Sequence, residues 1–283
     1  MPALRNFLIL SRAAGLPTIW SNCLAGWWLG GHSDAGRLPF LFAGATLLYV
    51  GAAFLNDAFD AEFDQEHRPA RPIPSGVVSW KNVWRWGLNW LALGVLVLLG
   101  VDTATAVLGL GLVVAIILYN TVHKMLAFSP VLFGLCRFFL YLMGASATLR
   151  GVTGWSIWCG LALAVYVGGV GCFMRWERKH TSIQWWPALL LAAPILLALI
   201  MDADVFREGG LLLSAVLALW VLLTFRQTYW SAERDLKLTV ARLQSGIVLV
   251  DWLACADGPR ELSLIFLALF GATLLLQRFV PKA

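Results

Sequence analysis

The chain has 283 residues, of which 60% are hydrophobic and 13% charged, with a formal net charge of +5. An ordinary soluble domain is about 25% charged, so this composition excludes a soluble globule, and it equally excludes a disordered chain, a coiled coil or a disulfide scaffold. What remains is an all-α polytopic transmembrane helix bundle, read as a single domain over residues 1–283.

Arg5 and Arg12 stand at the start of an apolar stretch from Leu8 to Gly30. Pro17, Asn22 and the paired tryptophans replace the leucine core and cleavage site of a signal peptide, so the stretch is expected to remain as a first membrane helix. Further apolar segments run approximately from Leu38 to Leu55, Trp80 to Gly100, Ala104 to Thr121, Pro130 to Leu149, Trp155 to Met174, Trp185 to Met201, Gly210 to Phe225 and Leu262 to Val280. The stretch from Val240 to Ala256 carries Arg242, Gln244 and Asp251; counting it as a span gives ten helices, and as a re-entrant piece nine.

Of the 21 Lys and Arg, only Arg37, Arg150, Arg207 and Arg260 fall on the outer side if the N-terminus is inside, and Arg137 lies within a span. That asymmetry favours an even number of helices. It places the N-terminus and the long polar connections 56–79, 175–184 and 226–239 in the cytoplasm, consistent with a bacterial or archaeal inner membrane. The basic residues are scattered without a basic face or groove-binding motif, which argues against a nucleic-acid partner. The five cysteines show no metal-ligand spacing and read as small buried hydrophobes.

Chemistry concentrates at the inner end of the second segment. Asp57, Asp60, Glu62, Asp64 and Glu66 crowd into one short stretch. Residues four apart share a helix face, so Asn56, Asp60 and Asp64 form a stripe of oxygen ligands suited to a hard divalent cation such as Mg²⁺. Directly after it, Arg68 and Arg71 sit on a loop stiffened by Pro69, Pro72 and Pro74. The guanidinium fork matches phosphate oxygens and proline sets its direction, so carboxylates followed by arginines describe a site for a metal-bound diphosphate.

The run Asn-Asp-x-x-Asp-x-x-x-Asp from Asn56 to Asp64, with Arg71-Pro72-Ile73-Pro74-Ser75-Gly76 behind it, resembles the first aspartate-rich motif of the UbiA superfamily of intramembrane prenyltransferases. Tyr119-Asn120 with Lys124, and the Arg12 to Gly26 run with Leu16-Pro17-Thr18 in the first segment, fit the same likeness, which is clear over residues 10–150 and weaker afterwards. The resemblance implies a helical bundle around a central cavity capped on the cytoplasmic side. It implies an isoprenyl diphosphate bound through Mg²⁺, with Asn56, Asp60 and Asp64 as metal ligands, Asp57 as their neighbour, and Arg68, Arg71 and Lys124 on the diphosphate. Asp60 and Asp64 would be the catalytic pair. Ionisation of the allylic C–O bond then gives a carbocation that alkylates a hydrophobic, often aromatic, acceptor within the membrane lipid, and ring faces could shelter the cation.

One motif departs from the pattern. Where the family places a second Asp-x-x-x-Asp, this chain has Arg175-Trp176-Glu177-Arg178-Lys179-His180, so Glu177 is the sole candidate ligand there. Three readings follow: basic residues replace a second ion's charge, Glu177 serves alone, or the protein is catalytically silent and binds or transports an isoprenoid lipid. Glu233 and Asp235 read as a solvated turn. Asp251 and Arg137 are intramembrane charges, either paired with each other or with Arg137 at the cavity mouth, and a structural role is expected for both. The four histidines show no metal-ligand spacing.

Overall fold

The structure, a computed structural model, describes residues 2–123, 126–179, 184–200, 204–229 and 235–279, with side chains throughout except at 2–5, 178–179 and 204–207. Lys124, His180, Glu233 and the side chains of Arg178 and Lys179 therefore lie outside the described residues. All regular structure among the described residues is helical: α1 (Pro2–Leu10), α2 (Leu16–Leu29), α3 (Leu38–Phe59), α4 (Ala61–His67), α5 (Trp80–Leu98), α6 (Thr103–Val122), α7 (Ser129–Ser146), α8 (Gly154–Lys179), α9 (Pro187–Leu190), α10 (Ala193–Ile200), α11 (Asp204–Tyr229), α12 (Leu236–Ala254) and α13 (Arg260–Phe279). The ends follow local chemistry. Proline opens the first turns of α2, α3, α7 and α9, where its missing N–H costs nothing. Ser79, Asp102 and Asp235 each accept a backbone N–H as N-caps of α5, α6 and α12.

Among the described residues six helical stretches are long and apolar enough to cross a membrane: Ala35–Phe59, Thr103–Val122, Ser129–Ser146, Gly154–Glu177, Glu208–Tyr229 and Arg260–Phe279. Helices α5 and α12, at 19 residues each, are as long but more polar, carrying Lys81 and Arg85 or Lys237, Arg242 and Asp251. Helix α12 is packed inside the bundle, where Ile247, Val248 and Asp251 are fully buried.

Two expected single helices are broken. Within Leu8 to Gly30, Arg12 takes a left-handed conformation (φ 47°) and separates α1 from α2, because its carbonyl accepts from Tyr49 Oη at 2.9 Å while its side chain is drawn to α3. Within Trp185 to Met201 the chain divides into α9 and α10 at residues 191–192, directly before Pro194, whose ring cannot continue a helix from the preceding turn.

The buried apolar residues form two main clusters that share α2 and α7. One is centred on α3, α5 and α6, and the other on α8, α11 and α12. The shared pair is in backbone contact. A Cβ on Gly26 would sit 2.2 Å from the Tyr141 carbonyl oxygen, and one on Gly144 would sit 2.3 Å from the Cys23 carbonyl oxygen. Helices in lipid gain little from hydrophobic exclusion, and glycine allows the close van der Waals contact that substitutes for it. The outer faces of α5, α6, α11 and α13 present leucine, isoleucine and valine outward, as a lipid-facing surface requires.

Candidate functional site

Asn56, Asp57, Asp60 and Asp64 are all buried, at 5%, 3%, 5% and 2% exposure. The helical register runs across the junction of α3 and α4: Asp60 N donates to Asn56 O at 2.9 Å, Asp64 N to Asp60 O at 2.8 Å, and Arg68 N to Asp64 O at 2.8 Å. The stripe read from the sequence therefore exists, and it extends by one more turn to Arg68.

Burying several carboxylates together requires compensating charge. Arg12, from the break before α2, donates to Asn56 Oδ1 and, at 2.8 Å, to Asp57 Oδ1. Arg71 Nη1 lies 2.5 Å from Asp64 Oδ2 and 3.7 Å from Asp57 Oδ1. His123 Nε2 meets Asp60 Oδ1 at 3.1 Å, and Asn56 Nδ2 donates to Asn120 Oδ1 at 2.8 Å. Burial pushes the Asp64 carboxyl above its ordinary range while Arg71 pulls it back.

Among the described residues no three His, Cys, Asp or Glu side chains converge closely enough to hold a metal on their own. The local chemistry nevertheless fits a hard cation that shares its coordination with a phosphate-bearing ligand. Asp57 Oδ2 is buried without a hydrogen-bond partner, and Nε of Arg12 and of Arg71 are buried donors in the same condition. Buried polar atoms left open beside one another mark a site completed by something bound. Mg²⁺ needs only one or two carboxylates when phosphate oxygens and water supply the rest.

These residues lie at one end of a cavity of about 810 Å³. Asn56, Asp60, Arg12, Arg68, Arg71 and Glu177 line it there, with Lys237 from the start of α12. Asp57 and Asp64 do not line it; they are buried with Arg12 and Arg71 as their ion-pair partners. Further along, the wall is apolar, with Ile19, Ala45, Leu112, Ile116 and Leu140, and the rings of Tyr49, Tyr119 and Phe133 also face the cavity. Glu177 reaches the site from α8, with its Oε1 4.0 Å from Arg68 Nη2. Arg175 instead donates to the Leu126 carbonyl.

Sequence reading singled out Arg68, Arg71 and the acidic stripe, but gave no role at this site to Arg12 or His123. The left-handed break at Arg12 and the His123 contact to α3 leave no periodic trace. Asn120, quoted with Tyr119, could have been found as a polar residue at the inner end of a span.

A second polar cluster lies deeper. Arg137 and Asp251 do not pair directly; Asn22 stands between them. Arg137 Nη1 donates to Asn22 Oδ1 at 2.9 Å and to the Thr18 carbonyl at 3.2 Å. Asn22 Nδ2 donates to Asp251 Oδ2 at 2.7 Å, and Ser21 Oγ and Tyr141 Oη donate to the same carboxylate at 2.5 and 2.7 Å.

The model of the UbiA prenyltransferase family matches residues 14–237. A digeranylgeranylglyceryl phosphate synthase from Methanosarcina mazei is 33% identical over 153 residues, 50% of this chain and 51% of that protein, so the match spans about half of the curated relative. A solved structure described as digeranylgeranylglyceryl phosphate synthase in membranes superposes with a TM-score of 0.60 at 16% identity, covering 98% of this chain and 100% of that one. A UbiA homologue from Archaeoglobus fulgidus bound to GPP and Mg²⁺ gives 0.56 at 11% identity, covering 96% and 99%. At these identities the structures establish the shared fold.

Proposed function

The chain belongs to the UbiA prenyltransferase family, and from that premise and the chemistry of the cavity we propose that it transfers an isoprenyl group from an isoprenyl diphosphate, bound through Mg²⁺, to a hydrophobic or aromatic acceptor. The protein is an integral membrane protein. The observation that carries the reading is the position of Asn56, Asp57, Asp60 and Asp64, interleaved with Arg12 and Arg71, at the end of a largely apolar cavity of about 810 Å³. The neighbour bound to GPP and Mg²⁺ supports the same choice of ligand.

When bound, Mg²⁺ would be held by oxygens of Asn56 and Asp60, which line the cavity, with Asp57 and Asp64 buried behind them, and would supply charge stabilisation to the departing diphosphate. Arg68 and Arg71 face the cavity from the proline-stiffened loop and donate to phosphate oxygens as negative charge develops there. Arg12 and Arg71 also hold the acidic stripe in place before ligand arrives, so the site is preorganised. The apolar wall takes the isoprenyl chain and keeps water from the allylic cation, with Tyr49, Tyr119 and Phe133 presenting ring faces. Glu177, through Arg68, orients that guanidinium. The cavity end holding these groups is assigned to the cytoplasmic side of an inner membrane, because the inner connections carry most of the Lys and Arg.

The test is diphosphate release and prenylated product from geranyl, farnesyl and geranylgeranyl diphosphates, by protein in lipid nanodiscs with and without Mg²⁺. Turnover that requires Mg²⁺ and disappears in Asp60→Ala supports the site. Binding of these lipids without turnover, indifferent to chelator, replaces the transferase with an isoprenoid carrier.

A further inference from the structure

The walls of the cavity end are unequal in charge. From α3 and its junction with α4, Asn56 and Asp60 line the cavity, with Asp57 and Asp64 buried behind them. Another wall is built by α8 and α12, which touch where Gln244 Nε2 donates to Met174 Sδ at 3.6 Å. Glu177 follows Met174 by about one turn, Lys237 lies about two turns before Gln244, and both line the cavity. Asp60 and Glu177 are, among the described residues, the only carboxylates that line it, against Arg12, Arg68, Arg71 and Lys237 at the same end.

The α8 and α12 wall is a poor seat for a second metal. Glu177 is the only acidic residue from Gly154 to Met201, so α8 brings a single carboxylate to the cavity. Its Oε1 already lies 4.0 Å from Arg68 Nη2. Among the described residues no carboxylate pairs with Lys237, which is exposed at the start of α12. One carboxylate compensated by a guanidinium, with an ammonium facing the same cavity end, repels a divalent ion more than it attracts one.

We propose that the site takes one divalent ion, on the Asn56 and Asp60 wall, and that Lys237 and Arg68 contact the diphosphate in place of a second metal. This rests on the prenyl-transfer reading and gives that site its metal count and one further diphosphate-binding residue. When the allylic C–O bond breaks, both electrons leave with the diphosphate and the isoprenyl group is left as the cation. Negative charge gathering on the departing oxygens is met by fixed N–H donors as it would be by an ion. The lysine ammonium brings three rotatable donors on a long stem, and so follows phosphate oxygens without a set geometry. Glu177 then anchors Arg68 rather than a metal.

The test counts ions on protein in nanodiscs, with geranyl S-thiolodiphosphate as a probe that resists ionisation and Mn²⁺, read by electron paramagnetic resonance, standing in for Mg²⁺. The wild type with saturating probe is expected to hold one Mn²⁺ per chain. Two ions per chain, or none with the probe bound, overturns the proposal without any variant having to fold. In Lys237→Gln the count stays at one while the probe binds about tenfold more weakly, the size of one charge-assisted contact. Lys237→Arg, which keeps the charge, returns affinity to within about threefold of the wild type. Probe affinity in Lys237→Gln within about twofold of the wild type removes Lys237 from the diphosphate and overturns its part. Failure of the wild type to bind the probe at any Mn²⁺ concentration refutes the prenyl-transfer reading itself.

Discussion

The cavity end and the interior cluster solve the same problem in different ways. At the end, each buried carboxylate touches a cationic or ring-nitrogen partner: Arg12 on Asp57, Arg71 on Asp57 and Asp64, His123 on Asp60. In the interior, Asp251 is surrounded by three neutral donors, and its nearest cation is reached through an amide. Ion pairs can exchange partners when another cation or an anion arrives, because each charge remains available to a competitor. A carboxylate enclosed by hydroxyl and amide donors holds its geometry whether or not a ligand is present. The first arrangement suits the proposed site for a metal-bound diphosphate, and the second suits a fixed internal frame that joins α2, α7 and α12.

Disruption of the interior should be the larger effect. Asp251→Leu leaves three donors and a buried cation uncompensated and is expected to cost about 3–5 kcal/mol in denaturant unfolding from micelles. A cost below about 1 kcal/mol would erase the distinction between the two regions. At the cavity end, Asp60→Ala should lower prenyl transfer about 10²- to 10³-fold, in proportion to the lost stabilisation of the leaving group, while shifting unfolding less than Asp251→Leu does. Tyr141→Phe removes one donor to Asp251 and is expected to cost about 1–3 kcal/mol in the same unfolding assay. Arg71→Gln leaves Asp57 and Asp64 short of positive charge; added Mg²⁺ should raise its melting temperature more than that of the wild type, by the equivalent of about 1 kcal/mol. If Mg²⁺ stabilises both equally, Arg71 and the ion do not serve the same carboxylates. Glu62→Gln, exposed on α4, should change neither turnover nor unfolding beyond about 0.5 kcal/mol, which checks that position rather than acidity matters.

Local pattern made part of this legible. The four-residue spacing of Asn56, Asp60 and Asp64 is a property of any helix, so the stripe could be read before the fold was known, and the prolines marked where the arginine loop begins. The four-residue spacing continues to Arg68, whose backbone N–H closes the next helical turn on Asp64. Arg12 was hidden because its contact to Asn56 and Asp57 depends on a left-handed break inside an otherwise apolar run. Arg137 and Asp251 stood out as charges in apolar segments, but Asn22, which joins them, looks like one polar residue among many. Its partners lie 115 and 229 positions away.

By itself, then, the sequence determined the solvent, the helical class and the acidic stripe, because composition and short-range periodicity act within one helix and need no partner. Tertiary structure alone decided which cations neutralise that stripe, that Glu177 meets Arg68, and that Asn22 joins Arg137 to Asp251. Each of those depends on helices distant in sequence being brought into contact, most closely where Gly26 and Gly144 let α2 and α7 touch, and no local pattern encodes that approach.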